Sequence, residues 1–336
     1  MDQREAERGG TPACVVGIGA SAGGVDALNR LVRRLPADLP AAICVVLHVP
    51  SSGRSLLAPI LARHTDLDVV EAEDGAQLVA GRAYVAPNDR HLVVDDGHVR
   101  LDRGPKENGV RPAVDPMLRS LASAYGSRAI AVILSGALGD GSTGAAAVRN
   151  AGGTVIVQDP EDATVPSMPK SALRAVGEAE AVLAVSDIGA ALARMVATRT
   201  VGEDMVVSAG QEYAESPKRP DGPPSPFTCP ECNGSLSEIR DGQAIRYTCR
   251  VGHSYSEDAM VVEQGSAVEA AVWAALEALE ERAEFLRPVA RRHGDERPRL
   301  RDRFNGAADD AELIRTALGT AGAHPHALDP HAEVAE

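Results

Sequence analysis

Three side chains of the types that cleave esters stand just beyond three separate apolar runs: Ser21, His48 and Asp140. Ser21 lies in GIGASAGG, Gly17 to Gly24, between the strand-like run 13–16 and the helix-like segment 25–35. Such a turn aims backbone N–H groups and the positive end of a helix dipole at one point, which suits a phosphate or an oxyanion. Two chemistries therefore compete. Residues 17–22 can be written G-x-G-x-x-A, the start of a dinucleotide site, but that site wants a carboxylate ending the second strand. The residue there is His48. Residues 19–23 also fit G-x-S-x-G, a nucleophile elbow, and His48 then stands where its base is needed. Adjacent strand ends of a parallel sheet lie side by side, so Ser21 and His48 are expected to be neighbours. A base works best when a carboxylate fixes its tautomer, and Asp140, between Gly139 and Gly141 after the run 129–134, is the candidate. The competing role for Asp140 is to cap a helix beginning near Ser142. Three strand ends carrying Ser, His and Asp in turn favour a triad, with the backbone N–H of Ala22 in the oxyanion hole.

Strands alternating with helices must position these residues. Strand-like runs fall at 13–18, 41–47, 69–72, 83–86, 91–95, 98–101, 129–134, 154–158 and 181–184. Helical spacing falls at 25–35, 56–64, 114–125, 142–151, 168–176 and 188–196. The pattern predicts an α/β fold with a doubly wound, mostly parallel sheet of Rossmann-like type. Asp96-Gly97 predicts a tight antiparallel hairpin grafted onto that sheet. Aromatic residues are only 3% of the chain, so its core is built from Ala, Val and Leu. A formal charge of −14 argues against nucleic acid or an anionic membrane as main partner. The start, Met1 to Gly10, is charged rather than signal-like, and no apolar run reaches the ~18 residues a membrane span needs. These features predict a cytoplasmic protein without membrane insertion. Cys14 and Cys44 lie within apolar strands and read as small buried residues.

Beyond residue 198 the composition changes. Residues 199–226 are polar and Pro-rich, the mark of a flexible linker. Residues 227–258 contain C-x2-C, Cys229 and Cys232, followed by C-x3-H, Cys249 and His253. Two short loops each offering two ligands suit tetrahedral zinc, and a closed Cys3His set leaves no position for a reacting water, so a structural metal is expected. Residues 259–318 read as helical, with Val268, Val272, Leu276, Leu279, Ala283 and Leu286 on one face and a second short helix at 309–318. Residues 319–336 have nothing to pack and read as a disordered tail.

Residues 13–196 closely resemble the catalytic domain of the chemotaxis protein-glutamate methylesterases, the CheB type. The resemblance rests on GASAGG, on Leu47-His48-Val49-Pro50, on the segment from Tyr84 through Pro87, Asn88, Asp89 and Arg90 to Leu92, on Arg111-Pro112-Ala113-Val114-Asp115, and on Gly139-Asp140-Gly141. It implies a triad of Ser21, His48 and Asp140 that hydrolyses glutamate methyl esters on receptor signalling helices, releasing methanol; some members also deamidate glutamine. A methylated receptor or signalling protein is then the substrate, and no cofactor is needed for catalysis. A similar ribbon follows the esterase domain in some relatives. Two departures stand out. Ala137 and Leu138 replace the Met and second Gly of the family's Gly-Met-Gly, which alters the loop shaping the pocket. Only about 12 residues precede the first strand, 1–12, so no receiver domain is expected to cover the site. The esterase domain is placed at 13–198. The alternative, from another class, is a signalling scaffold that keeps the esterase fold and acts through its ribbon and amphipathic helix. His64, His91 and His98 take structural roles in this reading, and Arg111 with Asp115 reads either as shaping the substrate cleft or as an ordinary surface pair at helical spacing. The ribbon and helix are expected to be dispensable for hydrolysis of a small ester.

Overall fold

A computed structural model describes residues 12–49, 55–197, 222–293 and 298–321. Its centre is a seven-stranded parallel sheet in the order β3-β4-β2-β1-β7-β8-β9. The strands are β1 (Cys14–Ala20), β2 (Ala41–Leu47), β3 (Asp68–Glu71), β4 (Arg82–Val85), β7 (Ala129–Ile133), β8 (Thr154–Gln158) and β9 (Ala181–Leu183). β1, β2 and β7 are buried at every residue, which is why their sequences are continuous apolar runs rather than alternating ones.

Alternate residues feed two cores. Cys14, Val16, Ile18 and Ala20 face one side, where helices α1 (Gly24–Val32), α2 (Leu57–Ala62) and α6 (Val185–Ala197) pack through Leu28, Leu61 and Leu192. Val15 faces the other, where α3 (Val114–Tyr125), α4 (Ser142–Asn150) and α5 (Ser167–Val176) pack through Leu118, Val148 and Met168. Cys44 is buried on that second side, and burial pushes its thiol up to about 12, as suits a small apolar filler. β1 pairs with β2 on one edge and β7 on the other, so the winding of the chain reverses at β1. In an open α/β sheet, the carboxyl ends at such a reversal form the usual crevice for a ligand.

The hairpin, β5 (His91–Asp95) and β6 (His98–Asp102), is a two-stranded sheet of its own rather than an extension of the parallel one. Leu92, Val94 and Val99 bury against the α3 side, and the Val94 N–H donates to Ser120 Oγ at 2.9 Å. A hairpin with its own apolar face can pack on a helix without needing a sheet edge.

The cysteine module is an antiparallel four-stranded sheet: β10 (Pro224–Thr228), β11 (Ser235–Asp241), β12 (Ala244–Cys249) and β13 (Ser254–Ser256). The stretch 199–226, predicted as linker, therefore ends earlier than expected. Pro224 and Pro226 lie on an outer strand, where missing N–H donors are tolerated, so their presence is a poor guide to where structure begins. Residues 198–221 lie outside the described residues.

From Val261 onward a second compact unit follows. It comprises most of the long helix α7 (Glu257–His293) and all of α8 (Pro298–Ala321). α8 is longer than the predicted 309–318, and Pro298 stands at its first position, where the absent N–H costs nothing. Leu276 and Ala283 of α7 and Ala307 and Ala311 of α8 are buried, and Arg315 pairs with Glu280. The predicted stripe is only partly covered: Val268 is 64% exposed. The predicted tail from 319 begins inside α8, and the rest of it, like the 1–11 segment, lies outside the described residues. No described helix is long and apolar enough to cross a membrane.

Candidate active site

Ser21 follows the last residue of β1 and directly precedes the turn into α1. Its N–H donates to the Ser135 carbonyl at 3.0 Å, and its own carbonyl accepts from Gly24 at 2.8 Å. Gly23 has φ 73°, the left-handed region that glycine enters without a Cβ penalty, and a Cβ there would come within 2.7 Å of Thr164. Ser135, just beyond β7, ties the elbow down from a second strand end. Its hydroxyl donates to the Ala22 carbonyl at 2.8 Å, and its N–H is held by Gln158 Oε1 at 2.8 Å. Below Ser21, a Cβ on Gly136 would lie 2.9 Å from Ser21 Cβ and would overlap Met168 Sδ, so only glycine lets the two loops approach this closely.

His48 continues from β2, and its N–H donates to the Ala20 carbonyl at 3.2 Å, keeping it beside the elbow. Its ring joins both partners: Nδ1 lies 3.0 Å from Ser21 Oγ and Nε2 2.7 Å from Asp140 Oδ2. A carboxylate only accepts, so Asp140 holds the proton on Nε2 and leaves the Nδ1 lone pair facing the serine hydroxyl. The three sequence candidates therefore meet in the order serine hydroxyl, imidazole, carboxylate.

Asp140 does not serve as cap of α4. It is 1% exposed and accepts at the start of α3 instead. Oδ2 takes the Val114 N–H at 2.6 Å, while Oδ1 takes those of Asp115 at 3.1 Å and Gly141 at 3.0 Å. The Asn108 side-chain amide adds a further donor to Oδ1 at 2.9 Å. Burial alone would push the carboxyl upward; the His48 hydrogen bond and charge and the two α3 N–H groups outweigh it and hold Asp140 below the ordinary carboxylate range. α3 thus places its positive end against a buried anion.

Asp115 is not a surface partner of Arg111. It is 2% exposed, accepts from Gly144 N–H at 2.6 Å and from Asn108 Nδ2 at 3.1 Å, and burial, with the Asp140 charge nearby, pushes its carboxyl up. Arg111 pairs with Asp89 at 2.5 Å and donates to the Gly104 carbonyl. His91 is buried, with Nε2 3.0 Å from the Pro105 carbonyl and Nδ1 accepting the Ala113 N–H at 3.2 Å, so it braces the segment leading into α3. His98 bonds the Asp96 carbonyl of its own turn, and His64 accepts from Arg33. Leu138 sits at φ 61°, a conformation that disfavours side chains, at one of the two positions where the loop departs from Gly-Met-Gly.

Among the described residues the Ala22 N–H donates no hydrogen bond, and it lies one residue from Ser21 at the mouth of α1. Sequence reasoning missed Asn108, Ser135 and Gln158. Nothing local marks a residue whose partners lie elsewhere in the chain.

The Cys3His set also assembles. The four donor atoms of Cys229, Cys232, Cys249 and His253 lie within 4.8 Å of one another. Cys232 and Cys249 sulfurs are 3.7 Å apart, and His253 Nδ1 is 3.7 Å from Cys229 Sγ and 3.5 Å from Cys249 Sγ. A tetrahedron of zinc–sulfur bonds near 2.3 Å has edges of about 3.8 Å, so the group can bind such a metal. Glu231 lies 3.4 Å from the outer nitrogen of His253, the position from which a carboxylate orients a ligating imidazole.

Residues 16–192 match the family described as CheB methylesterase. A protein-glutamate methylesterase/protein-glutamine glutaminase of Paramagnetospirillum magneticum is 40% identical over 193 residues, covering 56% of this chain and 50% of the relative. The protein-glutamate methylesterase FrzG of Myxococcus xanthus is 39% identical, with 55% of each chain covered. The crystal structure of the Thermotoga maritima CheB methylesterase catalytic domain superposes with a TM-score of 0.52 at 42% identity, covering 54% of this chain and 98% of that one. The chain spans about half the length of the curated relatives it matches.

Proposed function

The chain belongs to the CheB methylesterase family, and we propose that it is a carboxylic-ester hydrolase acting on glutamate methyl esters of a chemoreceptor-like signalling protein. The observation that carries the reading is the continuous contact from Ser21 Oγ through His48 to Asp140, at 3.0 and 2.7 Å. Ser21 is the nucleophile, His48 the base and Asp140 the carboxylate that orients it.

Ser21 Oγ attacks the ester carbonyl carbon while its proton moves to His48 Nδ1. The imidazolium that forms faces the Asp140 carboxylate through Nε2, which keeps that charge paired with a buried anion. The carbonyl oxygen becomes an oxyanion, and the Ala22 N–H and the positive end of α1 oppose its charge. Collapse expels the methoxy oxygen, which takes the His48 proton and leaves as methanol, with the glutamyl group on Ser21. Water then attacks the acyl group as His48 accepts its proton; the bond to Ser21 Oγ breaks, Oγ takes that proton back from His48, and the free glutamate carboxyl is released. A glutamine side chain follows the same course with ammonia as leaving group, in line with the glutaminase named in relatives. The signalling-scaffold alternative gains no support from a site this completely assembled.

For the cysteine module the proposal is one structural zinc on Cys229, Cys232, Cys249 and His253. All four positions are taken by protein, so the metal supplies folding free energy, ~10–16 kcal/mol in small zinc modules, rather than a reacting water. A cytoplasmic location fits the free cysteines and the receptor substrate. The proposed division is a catalytic domain at 13–198 and a ribbon at 227–258. The test is methanol release from methylated receptor membranes, compared with the Ser21→Ala variant. Equal release from the two would refute the esterase reading.

A further inference from the structure

The ribbon is not an appendage hung on a linker; it touches the loop behind the triad. Asn108, 4% exposed, precedes α3 by six residues and has φ 53°. Its backbone N–H donates to the Ser254 carbonyl of β13 at 2.7 Å, and its side-chain oxygen accepts the Ser256 N–H at 2.7 Å. Glu107 forms a bridge with Ser254 in the same register. The other end of the amide faces inward, with Nδ2 2.9 Å from Asp140 Oδ1 and 3.1 Å from Asp115 Oδ2. Only one amide orientation meets all these partners. Rotated by half a turn, its oxygen would face two carboxylates and its NH2 group would face the Ser256 N–H.

We propose that Asn108 is a positioning residue for Asp140 and that the metal-binding ribbon is what holds Asn108 in place. The proposal rests on the esterase reading above. His253, the last of the four metal donors, is followed directly by β13, so the strand that grips Asn108 is continuous with the metal loop. A second clamp keeps the ribbon seated: Asp258, two residues beyond β13, accepts from Ser171 Oγ at 2.6 Å and Arg174 at 2.8 Å on α5. Losing the metal frees β13, Asn108 loses both its backbone and its amide anchor, and Asp140 loses the one side-chain donor among the three on Oδ1. His48 is then held less well relative to Ser21. This reverses the expectation that the ribbon is dispensable for the chemistry.

The experiment uses the full-length chain and three variants, with a small activated ester as substrate. Two readouts beside activity are the far-downfield proton resonance of the His48–Asp140 hydrogen bond and the melting temperature. Asn108→Ala is expected to lower kcat about 10²-fold with KM little changed, as for a misplacement on the order of 1 Å, and to weaken the resonance. Ser256→Ala keeps the backbone N–H and should match the wild type in kcat and resonance, the lost hydroxyl acceptor for the Ala259 N–H affecting only the melting temperature. Ser256→Pro removes that N–H and should follow Asn108→Ala. Stripping metal from the wild-type chain with a chelator should lower kcat and weaken the resonance together, and added zinc should restore both. A folded Asn108→Ala variant with wild-type kcat and resonance overturns the proposal, as does a metal-stripped chain with both unchanged. If a variant fails to fold, the metal-stripped wild type decides. If the wild type shows no Ser21-dependent turnover, the esterase reading fails by itself, and the resonance still decides this proposal.

Discussion

Replacing Asp140 by Asn exchanges one carboxylate oxygen for an NH2 group, and the donors around the side chain dictate where that group must point. Oδ1 of Asp140 accepts from Asn108, Asp115 and Gly141, whereas Oδ2 accepts from Val114 and His48. The new amide oxygen takes the Oδ1 position, because three donors await it there. The NH2 group then faces the Val114 N–H and His48. Against His48 the amide can only donate, so Nε2 must become the acceptor and the ring proton moves to Nδ1, toward Ser21. The base is left in the wrong tautomer for taking the serine proton. A comparable carboxylate-to-amide change in a Ser-His-Asp triad costs about 10⁴ in kcat, or ~5.5 kcal/mol at 1.36 kcal/mol per decade. The Val114 N–H, buried without an acceptor, costs a further ~1–3 kcal/mol of stability. Steady-state hydrolysis of a small ester measures the first loss, and urea unfolding the second. An Asp140→Asn variant within tenfold of wild-type kcat would refute the tautomer argument, whatever its stability.

Ser21→Ala and His48→Ala should each abolish hydrolysis while leaving the melting temperature near that of the wild type, since both side chains are at the sheet edge rather than in the core; near-normal turnover in either would sink the triad. Gly136→Ala places a methyl 2.9 Å from Ser21 Cβ, so turnover should fall and stability drop by about 1–3 kcal/mol, the usual cost of overpacking; an unaffected enzyme would show that the loop yields freely. Elemental analysis should find one zinc per chain, lost in Cys229→Ser, and a metal-free wild type would count against the ribbon assignment. Stability should also depend on pH in two opposed ways. Asp140 is held below the ordinary carboxylate value of about 3.9, so its contribution is present above that value and lost as pH falls toward the lowered one. Asp115 is pushed up, so the folded state favours its protonated form and stability declines as pH rises above about 3.9 toward neutrality. From these two groups, melting temperature against pH should therefore peak at about pH 4, where the two windows meet, and Asp115→Ala should flatten the descending side; an unchanged descent would remove Asp115 as its cause.

Features with local or periodic causes were legible in the amino-acid order. Continuous apolar runs forced buried parallel strands, and glycines at 19 and 23 marked the turn that exposes Ser21. His48 and Asp140 were legible because each stands just past a strand, and the ends of parallel strands share one edge. The spacing of Cys229, Cys232, Cys249 and His253 was likewise enough to indicate a metal set, since two short loops bring the donors together whatever surrounds them. Features that depend on partners far apart in the chain were settled only by packing. Asp140 reads locally as a cap for the helix beginning at Ser142, yet two of its five donors are N–H groups at the start of α3, some 25 residues earlier, and two more are the side chains of Asn108 and His48. Asp115 resembles half of a surface pair with Arg111, but packing buries it and turns Arg111 to Asp89. The bond from Ser256 to Asn108 spans 148 residues, and no pattern of period two or 3.6 carries information across that separation. Whether a small ribbon merely trails behind an esterase or braces its triad is therefore a matter of docking, set by which exposed backbone groups find partners once both parts have folded.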